Sequence, residues 1–478
     1  MTKPTPHELA AMFSEFIDPE YVIVDKETLS PYECDGLSMY CQQPMLVVLP
    51  ETVEQVQQVM RICHHHEVPV VARGAGTGLS AGAMPHSEGV VLSLAKFKNI
   101  LEIDPVARTA RVQPGVRNLL ISEESAQYGL YYAPDPSSQI ACTIGGNVAE
   151  NSGGVHCLKY GLTVHNVLKV EMITVEGEKV TIGSDGLDSA GFDLLALITG
   201  SEGLLGVLTE VTVKLLPTPE KAQVVMAAFD SIQNAGNAVG AIISHGIIPA
   251  GLEMMDRYAI QAAEDFCKAG YPKDAKALLL CELDGSVAEV EEHTKEVESI
   301  FKNFDATSIR VSRDEAERVL LWKGRKSAFP AVGRISPDYY CMDGTIPRGQ
   351  LAYVLEEMEK MSEHYGLRVA NVFHAGDGNL HPLILFDANV PGEFEKTEEF
   401  GGKILELCVE VGGCITGEHG VGIEKIRQME IQFNQQELAQ FHSIKDAFDP
   451  KGTLNPGKGI PVLKRCQEYR SLDHAAHA

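Results

Sequence analysis

Two short stretches in the second half of the chain hold residues that could do chemistry together. In "VFHAGDGNLHP", His374 and His381 stand on either side of an Asp-Gly dipeptide, and in "ITGEHGVG", Glu418 and His419 stand between glycines. Two imidazoles and one carboxylate are a common donor set for Zn²⁺, Mn²⁺ or Fe²⁺ with coordination positions left open. A further histidine is the side chain most often used as a general base. These four residues are either ordinary loop residues or the floor of an active site.

The first stretch predicts a β-hairpin. The segments "RVANVF" and "PLILF" read as strands, and Asp377-Gly378 is a strong signal for a two-residue turn. Such a turn pairs His374 with His381 on one face of the sheet, with Cβ atoms about 5 Å apart, so that both can reach one ion. A longer loop would shift the pairing and leave both histidines at the ends of their strands. Glu418, in a loop that its glycines make adaptable, can supply a third ligand.

A glycine-rich loop nearer the N-terminus predicts a phosphate cradle. In "VPVVARGAGTGLSAGA", the spacing Gly76-x-Gly78-x-x-Ala81 fits the dinucleotide-binding fingerprint. That fingerprint requires a helix directly after the glycines, but Gly82 and Pro85 interrupt the segment where the helix would lie. The sequence therefore argues against a nicotinamide-type Rossmann site. Successive main-chain N–H groups between two strands still form a nest for an anionic phosphate.

Two further stretches, "PDPSSQIACTIGGNVAENSGG" and "GSEGLLGV", gather small side chains that expose main-chain amides. A large planar cofactor with a pyrophosphate needs such a close approach of the backbone. Near the C-terminus, the Pro/Gly-rich "TLNPGKG" must be held by another part of the chain. The predicted cofactor contacts are Arg73, Gly74, Ala75, Gly76, Thr77, Gly78, Ser80, Pro134, Asp135, Ser138, Thr143, Gly145, Gly146, Asn147, Asn151, Ser152, Gly154, Glu202, Gly203, Gly206, Val207 and Asn455.

Strands and helices alternate along the chain, which indicates an α/β or α+β architecture. Pro217 and Pro219 break one strand and mark a domain boundary, after which the alternation resumes. One amphipathic helix is predicted near the C-terminus, at about 435–448. The predicted domains are residues 1–217, which bind the cofactor, residues 218–425, which carry the histidine hairpin, and residues 426–478, which return to the first domain.

Composition narrows the classes of partner. The 478 residues carry a formal net charge of −26, and such a surface repels nucleic-acid phosphates and anionic lipid headgroups. No apolar run is long enough to span a membrane, and the N-terminus lacks the apolar core of a signal peptide. The eleven cysteines form no CxxC pair, which argues against an iron–sulfur cluster bound by this chain. We expect a cytoplasmic protein that reaches the inner face of a membrane only through partners.

The order "VVARGAGTGLSAG … PDPSS … TIGGN … NSGG … GSEGLLGV" resembles the FAD-binding domain of the vanillyl-alcohol-oxidase-like flavoproteins. "WKGRKSAFPAVGR", "VFHAGDGNLHP" and "GEHGVG" are similar to the FAD-linked 2-hydroxyacid dehydrogenase branch of that family. The resemblance implies an α+β fold: an FAD-binding domain of two α+β subdomains, and a cap or substrate domain with a helix-covered antiparallel sheet.

The resemblance also assigns roles to residues. It implies that His374, His381 and Glu418 bind a divalent metal (Zn, Mn or Fe) and that His419 is the general base. It places Arg325, in "WKGRKSAFP", as the arginine that grips the substrate carboxylate in a bidentate fork. From the residues alone, a surface helix arginine is the better interpretation of that position.

Further implications concern the cofactor and the partners. Relatives that attach FAD covalently often have a histidine in the first glycine loop, and here that place is Thr77, which implies non-covalent FAD. The reaction implied is oxidation of a small 2-hydroxy acid, glycolate or D-lactate, to the 2-oxo acid. Electrons would pass to a quinone or to other subunits of a complex, including an iron–sulfur protein.

Three alternatives remain at this point. A D-lactate or D-2-hydroxyglutarate dehydrogenase acting alone would use the same residues. However, "YYCMDGTIP" lacks the lysine that relatives acting on dicarboxylates often have ahead of the D-x-x-x-P strand, which favours a small monocarboxylate. A mononuclear iron oxygenase also uses two histidines and one carboxylate, but it would carry no flavin. A non-catalytic flavin-binding scaffold would keep the loops without needing His419.

Overall fold

A computed structural model of the chain describes residues 3–186 and 190–462, so residues 463–478 of the predicted C-terminal segment lie outside the described residues. The strands are β1 Val22–Ile23, β2 Leu46–Val48, β3 Val70–Arg73, β4 Val90–Ser93, β5 Ile100–Asp104, β6 Thr109–Val112, β7 Leu130–Tyr131, β8 Val167–Ile173, β9 Lys179–Gly183, β10 Val207–Lys214, β11 Leu216–Pro217, β12 Lys221–Phe229, β13 Gly251–Asp256, β14 Ala277–Gly285, β15 Ser308–Val311, β16 Asp338–Cys341, β17 Val369–His374 and β18 Asn379–Phe386.

The α-helices lie between these strands and in the C-terminal part of the described chain. They are α1 Pro6–Phe13, α2 Lys26–Leu29, α3 Val53–His66, α4 Asn118–Ser125, α5 Ile144–Glu150, α6 Cys157–Tyr160, α7 Leu194–Ile198, α8 Ile232–Ser244, α9 Arg257–Cys267, α10 Val287–Asn303, α11 Glu315–Lys326, α12 Ala328–Val332, α13 Leu351–Tyr365, α14 Glu393–Glu410, α15 Met429–Gln432 and α16 Gln435–Phe448. No helix in the described part of the chain is long and apolar enough to cross a bilayer.

The described strands of the N-terminal half form two larger sheets and a two-stranded sheet of β7 and β11. The first has the order β1-β2-β4-β3, with β4 parallel to both β2 and β3, and the second has the antiparallel order β5-β6-β10-β8-β9. Between β3 and β4 the chain forms turns and bends and no helix. The rejection of a Rossmann site is therefore confirmed, because the glycine loop runs from strand to strand.

The second half forms one antiparallel sheet with the order β15-β12-β14-β13-β17-β18-β16. One face packs against α8, α10, α13 and α14, and the other packs against α9, α11 and α12. Side chains alternate between the faces along each strand. The predicted fold class, an α+β protein with a helix-covered antiparallel sheet, is confirmed.

The C-terminal segment returns to the first sheet. Thr453 accepts the N–H of Val70 through its carbonyl at 2.8 Å, and Asn455 donates its N–H to the Val70 carbonyl at 2.8 Å. Leu454 forms a parallel bridge with Val70, so this segment continues the sheet beside β3. The exact domain boundaries at residues 217 and 425 stay a prediction.

Candidate functional site

A cavity of about 480 Å³ runs from the first glycine loop to the histidine hairpin. All three glycine-rich stretches line one end, and His381, Glu418 and His419 line the other. The predicted cofactor residues that line it are Arg73, Gly74, Ala75, Gly76, Thr77, Gly78, Ser138, Thr143, Gly145, Gly146, Asn147, Ser152, Glu202, Gly203 and Gly206.

The remaining predicted cofactor residues do not line the cavity, and Asn455 among them supports its wall. The side-chain amide of Asn455 donates to the carbonyls of Gly82, at 3.0 Å, and Glu202, at 2.7 Å. The carbonyl of Ser80 accepts the N–H of Ile423 at 3.0 Å. The residues of the prediction that do not line the cavity are Ser80, Pro134, Asp135, Asn151, Gly154, Val207 and Asn455. Direct contact of these residues with a cofactor stays a prediction.

The cradle end fits FAD. A side chain could not be added at Gly74 without colliding with Thr143, and a Cβ at Gly145 would lie 2.5 Å from that of Pro114. The backbone at Gly74 and at Gly145 therefore lies closer to its neighbours, Thr143 and Pro114, than a residue with a Cβ atom would allow. The hydroxyl of Thr143, on the cavity wall, is buried and has no hydrogen-bond partner. Close-packed backbone amides and an unsatisfied hydroxyl suit an anionic cofactor.

Glu202 joins the cradle to the catalytic loop. Its carboxylate accepts the N–H groups of Val421, at 2.7 Å, and Gly422, at 2.6 Å, directly after the "GEHG" sequence. Because Glu202 also lines the cavity, the loop and the cofactor end are held to one another by a buried carboxylate.

The opposite end of the cavity gathers a metal-type donor set. Glu418 Oε1 lies 3.3 Å from His374 Nε2 and 3.2 Å from His381 Nε2. One ligand atom from each of the three residues lies within 4.8 Å of the others. His381 Nε2 is buried and makes no hydrogen bond of good geometry, despite the carboxylate beside it. Two imidazole nitrogens and one carboxylate around one point fit a divalent ion such as Zn²⁺, Mn²⁺ or Fe²⁺.

The predicted register of the histidine hairpin is wrong. His374 pairs with Asn379, and His381 pairs with Val372, because a four-residue turn replaces the expected Asp-Gly turn. The N–H of Gly378 donates to the carbonyl of His374 at 3.0 Å and closes that turn. The shift moves the pairing by two positions, so it preserves the side-chain alternation. Both imidazoles therefore still face the same side of the sheet, with ring centroids 5.0 Å apart.

Arg325 does not line the cavity. Its side chain is 2% exposed and forms an ion pair with Glu253, at 2.5 Å. The other oxygen of Glu253 lies 2.8 Å from His374 Nδ1. Glu253 thus connects a candidate ligand to the arginine that was predicted to bind substrate. Contact between Arg325 and a substrate carboxylate stays a prediction, and in this structure an internal carboxylate takes that position.

Asp343 is a site residue that the sequence reasoning missed. Its carboxylate accepts the Thr416 hydroxyl at 2.6 Å and the N–H groups of Gly417 at 3.0 Å and His419 at 2.9 Å. It also lies 3.4 Å from His381 Nε2, and Asp343, His381 and His419 form a second group with metal-ligand spacing. The only signal in the sequence was an acidic residue just after the apolar strand in "YYCMDG".

His419 stacks on His381, with ring centroids 5.1 Å apart and planes 4° from parallel. Burial is the main cause that lowers the pKa of His419 to about 4, and the charge on His381 adds to it while Asp343 opposes it. The imidazole is therefore neutral at pH 7, and its Nδ1 is without a hydrogen-bond partner. Burial would raise the pKa of Glu418, but the contacts of its carboxylate with the imidazoles of His374 and His381 outweigh burial and hold that pKa well below its usual range. A neutral imidazole thus stands beside an ionised carboxylate.

Two family descriptions match this chain. "FAD linked oxidases, C-terminal domain" matches residues 218–459, which is about half of the sequence, and "FAD binding domain" matches residues 44–183. The chain belongs to the FAD-linked oxidases.

The relatives of this FAD-linked oxidase include two glycolate oxidase subunits and a D-lactate dehydrogenase. It is 66% identical to the glycolate oxidase subunit GlcD of Escherichia coli strain K12 over 451 residues, which cover 94% of this chain and 90% of the relative. The GlcD subunit of Bacillus subtilis is 40% identical, covering 89% and 91%. A D-lactate dehydrogenase of Archaeoglobus fulgidus is 32% identical, covering 87% and 92%. The resemblance to the FAD-linked 2-hydroxyacid dehydrogenase branch, and within it to the glycolate oxidase D subunit, is confirmed.

Solved structures show the fold alone at their level of identity. A 4-ethylphenol oxidase from Gulosibacter chungangensis aligns with a TM-score of 0.80 at 19% identity, covering 96% of this chain and 98% of that one. A p-cresol methylhydroxylase aligns with the same score and coverage at 18% identity. The oxidase therefore shares the architecture of vanillyl-alcohol-oxidase-like flavoproteins, as its motifs predicted.

Several residues at the cavity of the oxidase have no counterpart in the sequence predictions. Glu150 lines the cradle end, and its Oε2 is buried without a partner. Lys326 and Phe329 line the hairpin end. Nothing in the sequence places Phe329 against the hairpin, because that contact joins distant segments.

Thr77 lines the cavity, where covalently linked relatives often have a histidine. We expect acid precipitation of the purified oxidase to release all of its yellow flavin into the supernatant, because Thr77 offers no nucleophile that would link the isoalloxazine ring. Absorbance of the supernatant at the flavin bands, compared with that of the pellet, measures this. Flavin that remains in the pellet after denaturation and gel electrophoresis would contradict the prediction.

Proposed function

We propose that this oxidase converts a small 2-hydroxy monocarboxylic acid, glycolate or D-lactate, to the 2-oxo acid. The proposal adds a divalent metal ion held by His374, His381 and Glu418, and FAD held in the glycine cradle. The observation that carries it is that His381, Glu418 and the neutral His419 line the same cavity as the cradle, while the buried His374 completes the donor set beside them.

The chain's own residues would divide the work. FAD, when bound, supplies the two-electron acceptor for the α-hydrogen of the substrate. A divalent ion between His374, His381 and Glu418 would lower the pKa of the substrate hydroxyl and fix its orientation. His419 Nδ1, which has no partner, would accept the hydroxyl proton. Two electrons and two hydrogens then leave the substrate, which balances the oxidation of an alcohol to a ketone or aldehyde.

The proposed preference for a monocarboxylate rests on the side chains of β16, the strand that pairs with β18 of the histidine hairpin. Cys341 pairs with Leu383 and Tyr339 pairs with Leu385, so both lie on the face of the sheet that carries His381. Neither residue supplies a cation for a second carboxylate. The buried cation Arg325 is already ion-paired with Glu253.

The electron acceptor would be a quinone or a partner iron–sulfur protein, in an arrangement like that of a glycolate oxidase with several subunits. The sequence of this chain holds no closely spaced cysteines that would bind a cluster. Attachment to the inner face of a membrane through such partners, with the rest of the protein in the cytoplasm, completes the proposal.

A second candidate is a D-lactate or D-2-hydroxyglutarate dehydrogenase that acts without partners. The D-lactate dehydrogenases among its relatives support the first of these. The iron oxygenase is disfavoured because the chain belongs to a flavin-binding family.

The deciding experiment is anaerobic bleaching of the bound flavin. We expect glycolate and D-lactate to reduce it, and D-2-hydroxyglutarate to reduce it far more slowly. Metal analysis of the same sample, followed by chelation, should show that loss of about one ion per chain abolishes bleaching and that Zn²⁺ or Mn²⁺ restores it. Bleaching by D-2-hydroxyglutarate but not glycolate, or full activity after chelation, would overturn the substrate or the metal assignment.

Replacing Glu253 by glutamine tests the support for the metal. Glu253 accepts from His374 Nδ1, which directs Nε2 toward Glu418, and such outer carboxylates raise the basicity of the ligand. We expect Glu253→Gln to weaken Zn²⁺ binding by about 10- to 100-fold, measured by competition with a chromophoric chelator.

The matched control is Glu282→Gln. Glu282 is also buried and paired, with Arg318 at 2.8 Å, but it contacts none of the candidate ligands. Its replacement should leave Zn²⁺ affinity unchanged. Equal affinity losses in both variants would mean that the effect is general destabilisation.

A further inference from the structure

The helix pair α11–α12 contributes an apolar wall to the hairpin end of the cavity. Lys326, at the end of α11, and Phe329 and Pro330, in α12, line the cavity together with His381 and His419. Of the described lining residues from the second sheet and its helices, Phe329 is the largest apolar one. Its ring meets the ring of His381 edge to face, with centroids 6.1 Å apart.

Phe329 is held in place from behind. Its neighbours Ala328, Ala331 and Val332 are buried in the apolar cluster under α9, and Phe329 packs against the same cluster. Its ring also contacts Tyr339 edge to face, with centroids 6.4 Å apart. A side chain wedged between a packed helix, a strand and a candidate metal ligand forms a fixed wall rather than a movable lid.

The positive charge of Lys326, beside this wall, is already paired with a carboxylate. Lys326 forms an ion pair with Asp135 at 3.3 Å, and Asp135 also contacts His156 at 3.0 Å. The wall that faces His381 is therefore an aromatic ring, with its nearest cation tied to an internal carboxylate. Such a surface tolerates a hydrogen or a short alkyl group and excludes bulk.

We propose that Phe329 sets the upper size limit for the side chain of the 2-hydroxy acid. The inference rests on the proposed function, because it concerns the substrate of that same site. The hydroxyl and carboxylate of the substrate are turned to the ligands and to His419, and the group on the 2-carbon meets the Phe329 ring. Glycolate, with no such group, and D-lactate, with a methyl, fit in front of the ring.

The test compares kcat/KM for glycolate, D-lactate, D-2-hydroxybutyrate and D-2-hydroxyisocaproate in variants of Phe329. One methylene in an apolar pocket changes this ratio by roughly 10- to 200-fold. We expect Phe329→Ala to raise the preference for D-2-hydroxyisocaproate over glycolate by at least about 10-fold. Phe329→Trp adds volume, so it should lower kcat/KM for D-lactate relative to that for glycolate. This variant tests the size limit without opening space in the cavity wall.

The control is Phe266→Ala, a partly exposed ring that lies against Arg334 and does not line the cavity. Its substrate ratios should equal those of the wild type. Flavin content and the melting temperature of every variant are measured alongside, and Phe329→Leu serves if Phe329→Ala does not fold. Unchanged ratios in Phe329→Trp and in whichever smaller variant folds overturn this inference alone, whereas a wild type that oxidises none of the four acids overturns the proposed function.

Discussion

Replacing His419 by glutamine is expected to slow flavin reduction by at least about 100-fold at saturating substrate. The imidazole is neutral at pH 7, lines the cavity beside the candidate ligands and has a free Nδ1. Glutamine keeps polarity and approximate size but cannot take a proton from the substrate hydroxyl. Stopped-flow absorbance under anaerobic conditions measures the rate of bleaching directly, without dependence on an external acceptor.

The control for this variant is His65→Gln, at an exposed surface position in the last turn of α3. It should bleach at the wild-type rate. FAD content and metal content are measured in both proteins, because a general base can be lost without loss of either. A His419→Gln protein that retains both and bleaches within a few-fold of the wild type would exclude the base role and favour a non-catalytic scaffold.

The second large effect is expected at Asp343. Its Oδ2 accepts from Thr416, Gly417 and His419, and its Oδ1 accepts the N–H of Glu418 at 3.2 Å. Asparagine offers only one acceptor oxygen and turns an amide NH₂ toward the donors on its other side. It would also leave the buried Lys425, 3.8 Å away, without part of its counter-charge. We expect the loop of residues 416–419 to shift once these bonds are lost. A displacement of about 1 Å in a catalytic group can cost about 100-fold in rate.

We therefore expect Asp343→Asn to lower kcat by about 100-fold, with a smaller change in KM and a lower melting temperature. Asp256→Asn is the matched control. Asp256 caps α9 and accepts from Asn371, so its loss should lower stability while the rate of flavin reduction stays within a few-fold of the wild type. A comparable rate loss in both variants would show that stability, and not the position of the loop, controls the rate.

Local patterns predicted much of this molecule. Helix α3, Val53–His66, is marked in the sequence by a threonine at its N-cap and by an apolar stripe, and both of these signals are local. The strand-to-strand glycine cradle was predictable for the same reason, since proline and glycine within the loop exclude a helix.

What the sequence could not predict depends on contacts between distant strands. The Asp-Gly dipeptide indicated a two-residue turn, but β17 must also pair with β13, and the hairpin takes the longer turn. Glu253, on β13, meets His374 and Arg325 only through that pairing. The residues alone favoured a surface arginine at position 325, which is wrong because the side chain is 2% exposed. The resemblance placed Arg325 near a carboxylate, but it could not tell that a carboxylate of the protein itself lies there.

The docking of residues 453–455 beside β3 has a consequence for biosynthesis. The sheet edge at Val70 and the carbonyls of Gly82 and Glu202 are satisfied only when Asn455 and its neighbours are in place. A nascent chain exposes its glycine loops long before that segment has been made. FAD loading is thus expected to wait until residues 453–455 have been synthesised and have docked beside β3.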